Sequence, residues 1–235
     1  MARVAEHPRP YTVLSCAVSV DGYLDTAGTT RLLLSNEADV DRVDALRASC
    51  DAILVGAGTI RADDPRLTVK APERRRWRVA HGLPGTPTKV TVTGRARLDA
   101  SANFFSVGDT EKLVYCASDA LPVARRDLRD VATVLDAGRC VDMRNVCEDL
   151  AAQGVQRLMV EGGGTVLTQF LTADLADELH LVIAPLFVGD SRARRFVDDG
   201  RFPWHSGRRA TLAEVRQLGD VVLLRYALSG RARGC

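Results

Sequence analysis

Two short stretches carry residue types suited to chemistry. In "GAGTIRADDP", residues 56–65, Gly56 and Gly58 let a backbone approach a ligand, Thr59 offers a hydroxyl, and Asp63 and Asp64 place two carboxylates side by side. In "EGGGT", residues 161–165, a carboxylate, Glu161, precedes three glycines that open a helical pattern. A helix N-terminus with bare N–H groups favours an anion such as a pyrophosphate, because its donors and its dipole point the same way. Each stretch also has a plainer reading: tight strand-to-helix packing for the glycines, and a turn fixed by Asp63 or Asp64 with Pro65 for the carboxylates.

Both stretches follow apolar, strand-like runs, "DAILV" and "QRLMV". In an open α/β sheet, ligands bind beyond the carboxyl ends of parallel strands. Asp63 and Glu161 are therefore expected on one rim, beside an anion site.

The elements that must position them alternate. "YTVLSCAV" reads as a strand, Ser35 or Asn36 caps a helix running to about Ala48, and "TKVTVT" and "KLVYC" are strands. "VDMRNVCEDLAAQG" is a helix closed by Gly154, and "LHLVIAPLF" and "DVVLLRYAL" are late strands. Apolar strands alternating with helices predict a largely parallel sheet covered on both faces. The Arg-, Gly- and Pro-rich stretches at 71–87 and 190–208 read as surface loops, and "ERRRWR" at 73–78 reads as a solvated insertion. An Arg run with a Trp could also stack single-stranded nucleic acid.

Composition narrows the classes. Hydrophobic residues make up 46% of the chain and charged residues 26%, which is ordinary globular usage. The net charge of +2 supplies no global field for nucleic-acid binding. The six cysteines show no C-x-x-C pair, and His7, His81, His180 and His205 have no spacing that suggests a metal site or a triad. Neither a signal-peptide pattern nor a membrane-length apolar run occurs, so a cytoplasmic protein without membrane or metal partners is expected.

Taken in order, "VSVDGYL", "RASCDAILVGAGTIRADDPRLTV" and "VEGGGTVL…LADELHLVIAPLFVG" resemble the pyrimidine reductases of riboflavin biosynthesis, from about Pro10 to Ala227. The resemblance implies a dihydrofolate-reductase-like three-layer α/β fold: a mostly parallel central sheet, helices on both faces and an antiparallel C-terminal strand. It implies one reductase domain over residues 10–229, in the stand-alone form without a preceding deaminase, and relatives of this kind are commonly homodimers.

The activity implied is NADPH-dependent reduction of the ribosyl side chain of 5-amino-6-(5-phosphoribosylamino)uracil, or its 2,5-diamino-pyrimidinone analogue, to the ribityl form. By resemblance, Asp63, Thr59 and Glu161 are the catalytic group. Val18, Thr59, Asp63, Gly94 and the run Gly162, Gly163, Gly164, Thr165, Val166 and Leu167 would bind the cofactor, with Arg95 or Arg97 beside its 2′-phosphate. Thr30, Arg47, Leu67, Lys70 and Glu161 would bind substrate, with Arg47 and Lys70 on its phosphate and Glu161 on the pyrimidine. Three departures stand out: Ser15 where bifunctional relatives carry lysine, Leu32 where they carry tryptophan, and Lys70 where many carry arginine. These leave two alternatives, a same-fold reductase of a dihydrofolate, pterin or secondary-metabolite pyrimidine, and a nucleotide-binding protein without turnover.

Overall fold

The computed structural model describes residues 8–28 and 32–234. Its elements are β1 (Tyr11–Ser19), α1 (Glu37–Ala48), β2 (Ala52–Gly56), α2 (Ala57–Asp63), α3 (Pro72–Ala80), β3 (Thr88–Thr93), α4 (Asn103–Ser106), β4 (Lys112–Cys116), α5 (Leu121–Leu128), β5 (Thr133–Asp136), α6 (Met143–Ala152), β6 (Arg157–Gly162), α7 (Gly164–Thr172), β7 (Glu178–Ala184), β8 (Thr211–Leu218) and β9 (Val221–Ala227). Nine strands form one sheet in the order β5-β4-β3-β2-β6-β1-β7-β9-β8. The first seven strands run parallel. Only β9, against β7, and β8, against β9, are antiparallel.

The central strands are apolar on both faces because both faces are covered. All five residues of β2 are buried. One core cluster packs Leu54, Leu158, Val166, Phe170 and Leu150 beneath α6 and α7. A second packs Ile53, Ile60, Leu67, Phe104 and Met159 on the opposite face.

Helix α1 begins where Asn36 accepts a hydrogen bond from the Asp39 amide, the expected cap. Its other end depends on α3, which replaces the surface loop expected across 71–87. Pro72 stands in the first turn of α3, where a missing N–H costs nothing. Arg78, fully buried, donates to the carbonyl of Ala48, which the end of α1 leaves without an intrahelical donor, and to that of Cys50 in the turn beyond it. Arg74 pairs with Asp41 and Asp44 of α1. The Arg run is thus a docking face for α1, and its Trp77 stacks on His81 with ring centroids 4.1 Å apart.

Candidate active site

Helix α2 follows β2 without an intervening loop, so "AGTIRAD", residues 57–63, is helical. Thr59 and Asp63, four residues apart, fall on one face of it. Asp64 ends the helix in the left-handed conformation, φ +42°, which Asp tolerates better than most residues. Its carboxylate accepts hydrogen bonds from the Asn103 amide at 2.7 Å and the Asn103 side chain at 2.6 Å. Asp64 therefore shapes the turn, while Asp63 lines a cavity.

Two cavities open along this rim. The first, of about 720 Å³, is lined by Gly56, Gly58, Gly94, Gly163, Gly164, Thr165 and Val166 and edged by Arg61, Arg95, Arg97, Arg194 and Arg195. The second, of about 600 Å³, is lined by Ser15, Asp39, Arg42, Arg47, Asp63, Lys70 and Glu161. Thr59, Gly163, Gly164 and Arg194 border both. The two cavities therefore meet at the junction of α2 and α7.

The first cavity is a backbone surface. Gly162 has φ +106°, a conformation that glycine alone adopts readily. A Cβ on Gly164 would stand 2.6 Å from the carbonyl oxygen of Arg195, so only glycine lets the 190–208 segment close over the helix. The Gly163 amide donates to Thr59 Oγ1 at 3.0 Å, tying α2 to the start of α7. No side chain caps α7, and the amides of its first turn have no intrahelical acceptor. Glycine walls, these amides and the arginine edge fit a dinucleotide with its phosphates against α7.

The second cavity is built from side chains. Arg47 grips Glu161 as a fork, Nε to Oε1 and Nη2 to Oε2, both at 2.6 Å, and Nη1 donates to the Thr68 carbonyl at 3.2 Å. Burial opposes the Arg47 charge, but Glu161 outweighs it and raises the pKa. Asp44 accepts from the amides of Lys70 and Ala71 and from Arg74. Arg47 and Asp44 together clamp the 68–71 segment to α1 and hold Lys70 at the cavity edge.

The expected site residues thus divide. Asp63, Thr59, Glu161, Arg47, Lys70, Gly94, Gly163, Gly164, Thr165 and Val166 line the paired cavities. Val18 is buried in β1 and lines neither cavity; its neighbours Ser15, Cys16 and Ala17 line the second. Leu67 and Leu167 point into the core, because the turn at 64–67 and the inner face of α7 are packing surfaces, and Gly162 acts through its backbone. Thr30 lies outside the described residues. The sequence reading did not single out Asp39, Arg42, Arg194 or Arg195, which come from α1 and from the presumed surface loop. Arg47 and Glu161, expected on phosphate and pyrimidine respectively, also bond each other across the second cavity.

Residues 10–224 match the model of the RibD C-terminal domain. The chain belongs to that family. It is 38% identical over 226 residues to the 2,5-diamino-6-ribosylamino-4(3H)-pyrimidinone 5′-phosphate reductase of Methanothermobacter thermautotrophicus, covering 94% of this chain and 100% of the relative. The protein of the same name from Archaeoglobus fulgidus is 34% identical over 214 residues, covering 90% and 95%. Acinetobacter baumannii RibD has a matching fold, with a TM-score of 0.75 at 25% identity, covering 93% of this chain and 58% of that one. Membership of the RibD C-terminal family makes this chain a reductase with a nicotinamide cofactor and a small pyrimidine substrate. Among the described residues, no helix is long and apolar enough to cross a membrane, and no cluster of His, Cys, Asp and Glu could hold a metal.

Proposed function

We propose that the protein uses NADPH to reduce the ribosyl side chain of 2,5-diamino-6-ribosylamino-4(3H)-pyrimidinone 5′-phosphate, or of 5-amino-6-(5-phosphoribosylamino)uracil, to the ribityl form in riboflavin biosynthesis. The observation that carries this reading is the meeting of a glycine-walled cavity and a charged cavity at Thr59 and Gly163, with Asp63 one turn along the same face of α2.

When bound, NADPH supplies the hydride for ribosyl C1. The chain's own residues do the rest. Gly163, Gly164, Thr165 and Val166 hold the phosphates, and Arg95 and Arg97 beside Gly94 meet the 2′-phosphate, a charge-assisted contact. Thr59, fixed by the Gly163 amide, keeps the two ligands in register. As the C1–O bond breaks and the exocyclic nitrogen forms an imine to C1, Asp63 relays the N–H proton to the sugar oxygen, and the nitrogen takes up a proton from solvent as the hydride reaches C1. Lys70, its amide held by Asp44, faces the substrate phosphate as a point charge.

A homodimer in the cytoplasm completes this reading. Leu212 and Val215 are half exposed or more on β8, one of the two edge strands, and are available for pairing with a second copy.

The test is NADPH oxidation by the purified protein with each ribosylaminopyrimidine phosphate and with dihydrofolate in parallel. Turnover of a ribosylaminopyrimidine is expected. Asp63→Asn should then lower kcat by roughly 10²-fold, the usual scale for a positioned proton-transfer group, with NADPH affinity within a few-fold. Turnover of dihydrofolate alone would overturn the assignment.

A further inference from the structure

We infer that Asp39 and Arg42 read the pyrimidine edge of the substrate and select a 2-amino ring over a 2-oxo ring. This rests on the reductase reading above and names residues that the family resemblance did not point to.

Asp39 and Arg42 lie three residues apart on α1 and line the second cavity. Arg42 Nε donates to Asp39 Oδ1 at 2.7 Å, and the two side chains are 10% and 1% exposed. Arg42 Nη1 stands 3.4 Å from His180 Nδ1, and Nη2 stands 3.5 Å from Ser15 Oγ.

Arginine only donates, so His180 Nδ1 is the acceptor and its hydrogen sits on Nε2. That nitrogen donates to Glu178 Oε2 at 2.7 Å. Tyr11 donates to the other Glu178 oxygen, and Arg225 flanks the carboxylate at 3.5 Å. The relay behind Arg42 aims its guanidinium without saturating it.

The contrast with Arg47 is informative. Glu161 occupies the Arg47 fork with both oxygens, whereas Asp39 meets Arg42 through one short bond. One Asp39 oxygen remains for a ligand, and Nη1 and Nη2 of Arg42 each keep one N–H beyond their long contacts to His180 and Ser15. The pair is neutral overall and nearly dry, a poor site for a phosphate dianion but a good one for an uncharged ring presenting donors and an acceptor in sequence.

A 2-amino-4-oxopyrimidine presents that sequence: the 2-amino group and N3–H donate, and the 4-oxo group accepts. The carboxylate serves the donors and the guanidinium serves the oxygen. A 2-oxo ring instead sets a carbonyl oxygen against the Asp39 carboxylate, two acceptors with no proton between them, which a buried site penalises heavily. Asp39 and Arg47 are roughly 12 Å apart along α1 at 1.5 Å per residue. That span accommodates a ring at the first turn of α1 and a phosphate near Lys70.

The experiment compares kcat/KM for the 2,5-diamino-pyrimidinone substrate and the uracil substrate, in the wild type, Asp39→Asn and Arg42→Lys. The wild type should favour the diamino form by about 10²-fold or more, the scale at which hydrogen-bonding sites reject a mismatched analogue. In Asp39→Asn, whose amide can donate to the 2-oxo group, that preference should fall to within a few-fold or invert while NADPH affinity stays unchanged. Arg42→Lys keeps the charge against Asp39, and it should raise KM for both substrates alike, about 10-fold, because both carry the 4-oxo group.

A wild-type ratio within a few-fold, or an Asn variant that binds NADPH normally and keeps the wild-type ratio, would overturn the inference while leaving the reductase reading intact. Turnover of neither substrate would overturn the reductase reading and the inference with it.

Discussion

The two cavities meet at Thr59 and Gly163 but recognise their ligands by different means. The first is walled by backbone, with glycines at 56, 58, 94, 163 and 164 and amides at the start of α7. The second is walled by charged side chains held in pairs, Arg47 with Glu161 and Arg42 with Asp39. Backbone recognition tolerates change at neighbouring side chains but no Cβ at the contact. Side-chain recognition fails when one member of a pair is lost, since the other charge stays behind in a partly dry site.

The sharpest way to break this contrast is Glu161→Ala. Arg47 would be left without its carboxylate, and stability should drop by about 3 kcal/mol, the scale for breaking a buried pair, measured by denaturant unfolding. Arg47→Met with Glu161→Met should recover most of that loss without recovering activity. A single variant as stable as the wild type would show that the clamp contributes nothing to the fold.

Next in size is Lys70→Met. It should raise KM for the phosphorylated substrate roughly 10-fold or more, the scale of a lost charge-assisted contact, and change KM for the dephosphorylated analogue little. Equal changes would place the phosphate elsewhere.

For the backbone cavity, Gly164→Ala forces a Cβ to within 2.6 Å of the Arg195 carbonyl. The 190–208 segment must move, and NADPH affinity should fall about 10-fold on the general scale of small-to-large strain while substrate discrimination is kept. A change in substrate preference instead would mean that the cavities are not separable.

The smallest expected effect is in pH. Burial, opposed by Glu178 and assisted by Arg42 and Arg225, holds the His180 pKa below its ordinary value. Burial would raise the Glu178 pKa, but hydrogen bonds from His180 and Tyr11 and the charge of Arg225 hold it at about 2. For both groups the unfolded chain binds more protons than the folded one as pH falls, so their stabilising contribution is complete above the ordinary histidine pKa and declines below it. Melting temperature should therefore begin to fall below about pH 6.5, and His180→Asn should flatten that first decline. An unchanged slope would remove His180 from the relay.

The contrast also explains what could be read from the sequence. The cofactor cavity is encoded locally: "EGGGT" and "GAGT" hold their glycines and Thr59 within single strand-to-helix junctions, so spacing alone exposes them. Parallel strands beneath helices were equally legible, because β2 is a continuous apolar run and β6 is built around the buried Leu158, Met159 and Val160. The substrate cavity is encoded across distance. Arg47 and Glu161 are 114 residues apart, and Arg42 and His180 are 138 apart, so no window of sequence shows either pair.

Helix α3 was hidden for a related reason. Arg74 and Arg78 read as solvent-facing charges until α1 supplies Asp41, Asp44 and its terminal carbonyls as partners. Strand β8 was hidden because its side chains are mostly exposed, leaving no apolar alternation to find. The 190–208 segment reads as a surface loop because its contributions, the Arg195 carbonyl over Gly164 and Arg194 and Arg195 at the cavities, depend on where the chain returns, which composition cannot reveal.

The most direct test of the account is isotopic. The protein is supplied with NADPH deuterated at the transferring position and a ribosylaminopyrimidine 5′-phosphate, and the product is analysed by mass spectrometry and NMR. The account predicts a ribityl product carrying one deuterium at C1 of the side chain, formed at least roughly 10²-fold more slowly by Asp63→Asn. Deuterium found elsewhere, or a variant as fast as the wild type, would contradict the assignment of hydride transfer to the junction of the two cavities.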